Sequence, residues 1–478
     1  MFPLSAVNQI LCYSVSVVED TIIAVGTPVG EGALAVLRLS GSDALKIISR
    51  VFRGRKNELT PRHAHYGEIY DSAGKLDEVL VTFFPGPNSY TGEDLIEISC
   101  HGGVLLTRRI LELFLKEGAR SATPGEFTQR AFLNGKMDLT QAEAVMDLIR
   151  AQTELALRAA NEQLAGNLGS DLMSMREQIL TALAHIEAYI DFPDEQIDPD
   201  TGKALLARFR QLGTQIDRLL ATADQGRILR HGLRTVIFGE PNVGKSSLLN
   251  LLLGYERAIV SHIPGTTRDT IEEVINVRGI PVRLIDTAGT RESTETIESE
   301  GIRRTLQQVD QADLVIEVVD GSKPDSRFDR SRQTLLILNK SDLGLHPDWK
   351  IADEEMSQGK VTQGTKVTDG EVRTKGILFS CTERVGVEEL NQAIWDRVMG
   401  GAVQLNDVRV AINARHQACL QRAKAALEQS VESLERGQSP EFISIELRDA
   451  LDAVGEVVGK TDSEDLLGKI FSEFCIGK

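Results

Sequence analysis

The run T-V-I-F-G-E-P-N-V-G-K-S-S, residues Thr235–Ser247, decides the fold of the central part of this 478-residue chain. Apolar and β-branched residues lead into a glycine-containing turn, and a helix-forming segment follows at Ser247–Leu253. Such a strand–loop–helix unit points backbone N–H groups inward at a helix N-terminus, where they bind phosphate oxygens. The spacing G-x-x-x-x-G-K-S therefore predicts an α/β domain with a phosphate-binding loop.

The side chains of this loop suit a nucleoside triphosphate. Lys245 would reach the β- and γ-phosphates, and the Ser246 hydroxyl would bind Mg²⁺. Because the loop follows an apolar strand and opens a helix, the motif stands in the context that phosphate binding needs. The predicted nucleotide contacts in this loop are Asn242, Val243, Gly244, Lys245, Ser246 and Ser247.

Two further motifs would complete the magnesium and γ-phosphate site. G-T-T-R-D, residues Gly265–Asp269, offers the Thr267 hydroxyl as a second Mg²⁺ ligand. D-T-A-G follows a strand-like run, and there Asp286 would hold Mg²⁺ through water while the Gly289 N–H faces the γ-phosphate. The predicted contacts in these segments are Ser261, His262, Ile263, Pro264, Gly265, Thr266, Thr267, Asp286, Thr287, Ala288 and Gly289.

A fourth motif, N-K-S-D at Asn339–Asp342, selects the base. The Asp342 carboxylate can accept one hydrogen bond from the ring N–H of guanine and one from its amino group. Adenine offers no such pair and would leave a desolvated charge unsatisfied. We predict base contacts at Asn339, Lys340 and Asp342, with Ser380 behind the base. The four motifs in this order predict a GTP-hydrolysing domain.

The residue that activates water is not evident from the motifs. In Ras-like enzymes a Gln after D-x-x-G orients the attacking water. Here that position is Thr290, which cannot act in the same way. The acidic segment that follows leaves several candidates open on chemistry alone. They are Glu292, Glu295, Glu298 and Glu300.

Composition limits the class of protein. A length of 478 residues predicts about three domains. Five scattered cysteines without metal-binding spacing are typical of a reducing cytoplasm, where we expect the protein. No apolar run approaches the length of a membrane span, so we expect no membrane partner. The net charge of −17 argues against a nucleic-acid coat protein but allows a local basic patch.

Sequence texture divides the chain into five predicted segments. Short apolar runs with Gly/Pro punctuation predict a β-rich domain at 21–136, after an N-terminal extension at 1–20. Apolar residues at three- and four-residue spacing predict a helical domain in two parts, 137–228 and 401–478. Strands alternating with helices predict a GTPase domain with a parallel-type sheet inserted at 229–400, helices covering both faces. Within it, the polar stretch Ser357–Lys375 is interpreted as a loop.

Beyond these motifs, the chain resembles the MnmE (TrmE) family of bacterial tRNA-modification GTPases, part of a larger TrmE-Era-EngA-YihA-Septin-like group. The resemblance covers all but about the first 20 residues. Its motifs are F-P-G-P-N-S-Y-T-G-E-D (Phe84–Asp94), T-P-G-E-F-T-Q-R-A-F-L-N-G-K (Thr123–Lys136), the phosphate loop, G-T-T-R-D, and the C-terminal C-I-G-K (Cys475–Lys478).

The resemblance implies a homodimer whose N-terminal domain binds 5-formyl-tetrahydrofolate or a related folate. It also implies a FAD-containing partner, MnmG (GidA), in a heterotetramer. Together the two proteins would attach an aminomethyl-type group, carboxymethylaminomethyl, to C5 of the wobble uridine of certain tRNAs. In this family K⁺ promotes contact between the two GTPase domains and takes the role of an arginine finger.

By position, the resemblance also assigns residues that the motifs left open. Glu298 matches the family's water-orienting glutamate. The implied K⁺ ligands are Asn242, Ser261, Ile263 and Thr266. The implied folate contacts are Arg38, Glu97, Lys136 and Lys478. Cys475 lies beside the implied folate site and is a candidate for a role in the modification chemistry.

Two other functions compete with this one. A ribosome-assembly or regulatory GTPase module would carry the same four nucleotide motifs. An aminomethyltransferase with an accessory GTPase would turn over folate and tRNA without a flavoprotein. The β-rich N-terminal domain and the lack of an obvious basic RNA-binding appendage favour the tRNA-modifying GTPase over the regulatory module.

Overall fold

A computed structural model of the protein describes residues 20–55, 58–191, 202–255, 272–285, 308–324, 334–347, 349–351, 363–368, 371–400, 411–460 and 464–478. The chain forms two compact units, one of residues 1–143 with 461–478 and one of residues 144–460. The predicted domain boundaries stay a prediction. By its contacts, the C-terminal segment 461–478, which the prediction grouped with the helical domain, belongs to the first unit.

The first unit is built on a seven-stranded sheet in the order β3-β4-β5-β6-β2-β1-β7. All pairs are antiparallel except β1 with β7. The strands are β1 (Ile22–Val25), β2 (Leu34–Ser40), β3 (Phe52–Gly54), β4 (Ala64–Asp71), β5 (Gly74–Phe84), β6 (Leu95–His101) and β7 (Arg120–Ser121). The helices are α1 (Ala44–Val51), α2 (Val104–Lys116), α3 (Glu126–Leu133) and the start of α4 (Leu139–Arg150).

Alternation along β2 shows how this sheet divides its two faces. Ala35, Leu37 and Leu39 are buried in a core that includes residues of α1 and α2. Arg38 lies between them in sequence and therefore points to the other face. Directly opposite in the register is Glu97 of β6. The sheet thus places a charged pair on one face and the apolar core on the other.

The two N-terminal motifs of the family resemblance meet in a buried ion network. Arg130 is 7% exposed, and its guanidinium donates to Asp20 (2.6 Å), Glu126 (3.0 Å) and Glu93 (3.2 Å). Arg120 donates to Glu126 and Asp20, at 2.5 Å each. These bonds join the T-P-G-E-F-T-Q-R segment to the S-Y-T-G-E-D segment, so both motifs have a structural role.

We expect the Arg130→Met variant to lose roughly 3–5 kcal/mol of unfolding free energy, because it removes the buried cation that Asp20, Glu93 and Glu126 share. Burial raises the pKa of Glu126 and of Asp20, but hydrogen bonds from Arg120 and Arg130 outweigh it and hold both below their ordinary values of 4.5 and 3.8. The network therefore stabilises the fold above those values and is lost as the pH falls below about 4.

Thermal unfolding between pH 3 and pH 7 measures this effect. Arg108→Met, at an exposed α2 arginine that pairs with Glu112 of the same helix, is the matched control and should leave the profile unchanged. Equal acid sensitivity of the native and Arg130→Met proteins would show that the network adds nothing to acid stability.

In the second unit, four long helices form a bundle with one apolar core. They are α6 (Asn167–Asp191), α7 (Gly202–Leu220), α11 (Ala414–Glu435) and α12 (Pro440–Val458). Their buried residues recur every three or four positions, as Leu168, Leu172 and Met175 do in α6. Ion pairs cross between helices on the outside, for example Lys424 with Asp217 at 2.6 Å. The prediction of helices from the spacing of apolar residues is confirmed for these segments.

This unit also contains an eight-stranded sheet, in the order β13-β14-β15-β12-β11-β8-β10-β9, and the helices that accompany it. The strands are β8 (Leu233–Phe238), β9 (Glu272–Val277), β10 (Ile280–Ile285), β11 (Leu314–Asp320), β12 (Thr334–Asn339), β13 (Lys350–Ile351), β14 (Gln363–Thr368) and β15 (Glu371–Leu378). The helices are α5 (Glu154–Leu164), α8 (Ala223–His231), α9 (Lys245–Tyr255) and α10 (Val387–Met399).

The centre of this sheet is parallel, as predicted, and its edges are antiparallel. Strands β15, β12, β11, β8 and β10 are successive parallel neighbours. Every residue of β11 is buried, which requires cover on both faces of the sheet. The antiparallel strands β9 and β14 extend it at either side. The predicted fold class is confirmed, with a mixed rather than a purely parallel sheet.

The interpretation of Ser357–Lys375 as a loop is wrong for residues 363–368 and 371–375. These residues form β14 and part of β15, an antiparallel pair that joins the central sheet through β12. The polar composition hid a usable signal, since the β-branched residues Thr365, Val367, Val372 and Thr374 alternate with others around an Asp-Gly dipeptide. Asp-Gly between alternating runs is typical of a hairpin. Edge strands tolerate polar residues because they are not buried on both faces.

Candidate functional site

The predicted phosphate loop lies between β8 and α9, at the carboxyl edge of the parallel strands. Its backbone explains the glycines. A Cβ on Gly239 would lie 2.2 Å from the Val318 carbonyl oxygen, and one on Gly244 would lie 2.1 Å from Asn339 Nδ2. Asn242 adopts a left-handed conformation with φ of 65°. The loop is therefore held against β11 and N-K-S-D, and its path requires small residues at two points.

Lys245 is the first residue of α9. Its ammonium donates to the carbonyl oxygens of Gly239 (2.8 Å) and Glu240 (2.6 Å), so the side chain folds back over the loop. Ser246 and Ser247 follow on the exposed side of the helix N-terminus. A cation and free N–H groups at a helix N-terminus are the groups that bind a polyphosphate.

At the other end of the site, N-K-S-D is tied to the loop by a buried amide. Asn339 is 3% exposed, and its Nδ2 donates to the Val243 carbonyl at 2.7 Å. Asp342 follows in a short 3₁₀ turn, and Ser380 Oγ donates to its carboxylate at 2.6 Å. The structure brings Val243, Asn339, Asp342 and Ser380 together from three separate strand ends.

Lys340 has a partner that no motif predicted. Its backbone is left-handed, with φ of 62°, and its Nζ donates to Asp320 Oδ2 at 2.7 Å. Burial raises the pKa of Asp320, but hydrogen bonds from Lys340 and Ser322 outweigh it and hold the pKa below its ordinary value. Asp320 is therefore an anionic anchor beside the predicted base site.

Several predicted residues lie outside the described part of the chain. Among them are the predicted magnesium ligand Thr267 and the predicted water-orienting Glu298. The others are Ser261, His262, Ile263, Pro264, Gly265, Thr266, Asp286, Thr287, Ala288 and Gly289.

The residues assigned to folate lie in the first unit. Arg38 Nε and Glu97 Oε1 are 3.0 Å apart, and Arg38 Nη1 donates to the Gly477 carbonyl at 3.5 Å. Gly477 has φ of 92°, and a Cβ there would lie 2.6 Å from the Val25 carbonyl oxygen. The C-terminal glycine is thus required by a close approach to β1, and it brings the chain end to Arg38.

Two more features complete this cluster. Burial and the nearby Arg38 guanidinium lower the pKa of the Lys478 ammonium. The Tyr90 ring, whose centroid is 5.7 Å from the Arg38 Cζ, was not predicted, although it stands in the motif Phe84–Asp94. Lys136 instead donates to the Pro87 carbonyl at 3.0 Å, in the same motif.

Cys475 is exposed, and its carbonyl accepts hydrogen bonds from Gly125 (3.4 Å) and Lys478 (3.3 Å). Helix α13 (Glu464–Ser472) precedes it, and a Cβ on Gly125 would lie 2.7 Å from the Phe471 carbonyl oxygen. The thiol therefore belongs to a C-terminal segment that packs closely on the T-P-G-E-F motif and ends at Arg38.

Across the described ranges, no group of three or more His, Cys, Asp and Glu side chains is arranged to hold a metal ion. The same part of the chain contains no helix with the length and apolar character needed to cross a membrane.

The fold and the phosphate loop define a P-loop GTP-binding protein. Among solved structures, the G domain of the T. maritima FeoB transporter overlaps 34% of this chain and 98% of its own length, at 25% identity and a TM-score of 0.22.

The family is shown by sequence. The model for the GTP-binding protein TrmE N-terminus matches residues 21–136, and the model for the MnmE helical domain matches residues 139–475. The tRNA modification GTPase MnmE of Akkermansia muciniphila is 50% identical over 467 residues, which is 96% of this chain and 99% of that protein. That of Thermoanaerobacter sp. is 44% identical over 474 residues, with 96% and 100% covered. The chain belongs to the MnmE family of tRNA modification GTPases, and it is a GTP hydrolase.

Proposed function

We propose that this chain is a potassium-stimulated GTPase that acts with a FAD-containing MnmG-type partner on the wobble uridine of certain tRNAs. The two proteins install a carboxymethylaminomethyl-type group at C5, as a heterotetramer built on a homodimer of this chain. The observation that carries the proposal is the extent of the likeness to MnmE proteins, which covers 96% of the chain and includes the Arg38–Glu97 cluster as well as the nucleotide loop.

In the proposed reaction, water attacks the γ-phosphorus in line with the bond to the β-phosphate. Lys245 offsets negative charge on the β- and γ-phosphates, and backbone N–H groups of the loop hold the phosphates in place. Asp342 and Ser380 hold guanine at the opposite end. Glu298 orients the attacking water.

The residues of the proposed site offer oxygen ligands for two cations. Mg²⁺ supplies charge neutralisation and would be held by the hydroxyls of Ser246 and Thr267. K⁺ would be held by Asn242, Ser261, Ile263 and Thr266. The exposed, left-handed Asn242 offers an amide oxygen at the rim of the loop, a ligand that suits a hard cation.

We expect GTP turnover to rise steeply, by about ten-fold or more, when K⁺ replaces Na⁺ at equal ionic strength, because a cation held by these residues would offset negative charge that develops on the phosphates. Steady-state phosphate release measures the effect. Asn242→Ala should remove the difference between the two salts. The same rates in K⁺ and Na⁺ for the native protein would exclude the cation mechanism and leave Glu298 without support.

A folate fits the cluster in the first unit by its chemistry. Arg38, Lys478 and Lys136 are cations that suit a glutamate tail, and the Glu97 carboxylate can accept hydrogen bonds from a pterin edge. The Tyr90 ring beside Arg38 adds an aromatic surface. Calorimetric titration with 5-formyl-tetrahydrofolate tests the site, and unchanged affinity in Arg38→Met would exclude it.

A role of Cys475 in the modification is part of the proposal. Serine at this position removes the thiol and retains its approximate size. Normal tRNA modification by Cys475→Ser, with normal GTP turnover, would exclude the thiol from the chemistry.

Nucleoside analysis of tRNA from cells that lack this protein tests the pathway. We expect C5-modified wobble uridines to disappear and to return with the native gene. If the content of C5-modified wobble uridines does not change, while the purified protein still hydrolyses GTP, the alternative of a ribosome-assembly or regulatory GTPase would be favoured.

A further inference from the structure

Asp320 is a buried carboxylate at the nucleotide edge of the sheet that no motif includes. It is the last residue of β11 and is 8% exposed. In the parallel ladder its register partner is Asn339, the first residue of N-K-S-D. The turn after it is tied to the same residue, because Gly321 N donates to the Asn339 carbonyl at 2.8 Å.

The carboxylate is held in one orientation by its own turn. Asp320 Oδ1 accepts hydrogen bonds from Ser322 Oγ (2.6 Å) and Ser322 N (3.1 Å). The second oxygen, Oδ2, accepts from Lys340 Nζ at 2.7 Å, while Lys323 Nζ lies 3.9 Å away. Asp320 thus presents a fixed, charged acceptor to Lys340.

Lys340 is restrained at both ends. Its backbone is in the left-handed region, which costs a residue with a Cβ stability and persists only where the surroundings hold it. Its ammonium is bound by Asp320, although the lysine side chain is 32% exposed. A long side chain that is already ordered loses less entropy when a ligand binds.

We propose that Asp320 is a positioning residue of the guanine-nucleotide site, which holds the Lys340 side chain in its binding position and thereby strengthens the binding of GTP and GDP alike. The inference rests on the proposed placement of guanine at N-K-S-D. Asp320 binds the lysine at the proposed base site, whereas the Lys245 ammonium, which is proposed to meet the phosphates, donates to the loop carbonyls of Gly239 and Glu240. The effect therefore falls on nucleotide affinity and not on the hydrolytic step.

The test compares three aspartate and serine variants of the full chain by GDP and GTP titration and by steady-state kinetics. Asp320→Asn keeps the shape and removes the charge, and we expect both dissociation constants and KM to rise about 5- to 30-fold with kcat within two-fold. Ser322→Ala removes the hydroxyl, one of the two donors to Oδ1, and should raise them about 2- to 5-fold. Asp313→Asn is the matched control, because Asp313 precedes the opposite end of β11 and pairs with Arg227 at 3.0 Å; its nucleotide affinity should not change.

A double-mutant cycle with Lys340→Met shows whether Asp320 acts through the lysine. If it does, Asp320→Asn adds little in the Lys340→Met background. Additive losses, or a fall in kcat with unchanged affinity, would overturn the proposal. If Asp342→Asn does not weaken GTP binding, the placement of guanine fails as a whole. If Asp342 matters and neither Asp320→Asn nor Ser322→Ala alters affinity, only the role of Asp320 fails.

Discussion

Lys245→Ala is expected to abolish GTP hydrolysis, with kcat/KM lowered at least about 10³-fold. In the structure the Lys245 ammonium is already placed over the loop by the carbonyls of Gly239 and Glu240. A triphosphate in the loop would therefore meet a positive charge. Alanine removes that charge and leaves the loop backbone, whose shape depends on Gly239 and Gly244, in place.

Single-turnover phosphate release and GTP binding measure the two parts of this effect. We expect the rate of hydrolysis to fall more than the affinity, because charge on the phosphates grows in the transition state. Lys424→Ala is the control, since Lys424 pairs with Asp217 on the helical bundle. Hydrolysis within ten-fold of the native rate in Lys245→Ala would exclude the proposed role.

Asp342→Asn should change which nucleotide the protein uses. In the proposed site the carboxylate accepts two hydrogen bonds from guanine, so an amide would leave one donor of the base opposed by another donor. We expect kcat/KM for GTP to fall about 10²- to 10⁴-fold. Xanthosine triphosphate carries an oxygen where guanine has its amino group, and it should become the better substrate because the asparagine amide can donate to that oxygen.

Competition between the two triphosphates for hydrolysis measures this switch. Ser380→Ala should give a smaller loss, about three- to ten-fold, because it removes one neutral donor to the Asp342 carboxylate, 2.6 Å away in the native protein. Asp313→Asn again serves as the control, because Asp313 precedes the opposite end of β11 and pairs with Arg227. Retained preference for GTP in Asp342→Asn would show that the base is read elsewhere.

The elements that sequence reasoning predicted best are those with a strong local signal. Three apolar runs of the sequence, Ile22–Val25, Leu314–Val319 and Leu335–Leu338, lie within the strands β1, β11 and β12. The apolar runs are buried on one or both faces, so composition alone marks them. The strand β14 was missed because its residues are polar and it lies near the edge of the sheet. At such a position, pairing with the neighbouring strand, and not local apolar content, stabilises the strand.

The same division holds for the sites. The phosphate loop was predictable because its glycines, lysine and serines are contiguous, and the backbone of a short loop depends on its own residues. The cluster that we propose to bind folate was predictable only by family resemblance, since Arg38 and Glu97 are 59 positions apart and meet through the register of β2 with β6. Asp320 lies 20 positions from Lys340 and carries no motif.

Sequence alone therefore established the kind of nucleotide chemistry and the order of the elements that carry it. Hydrophobic periodicity and a contiguous loop motif are local properties that can be recognised in the sequence. Tertiary structure alone showed that Asn339 clamps Val243, that Asp320 anchors Lys340, and that Gly477 brings the chain end to Arg38. These contacts depend on which strands become neighbours and in what register, and pairing energies summed over whole sheets determine that outcome.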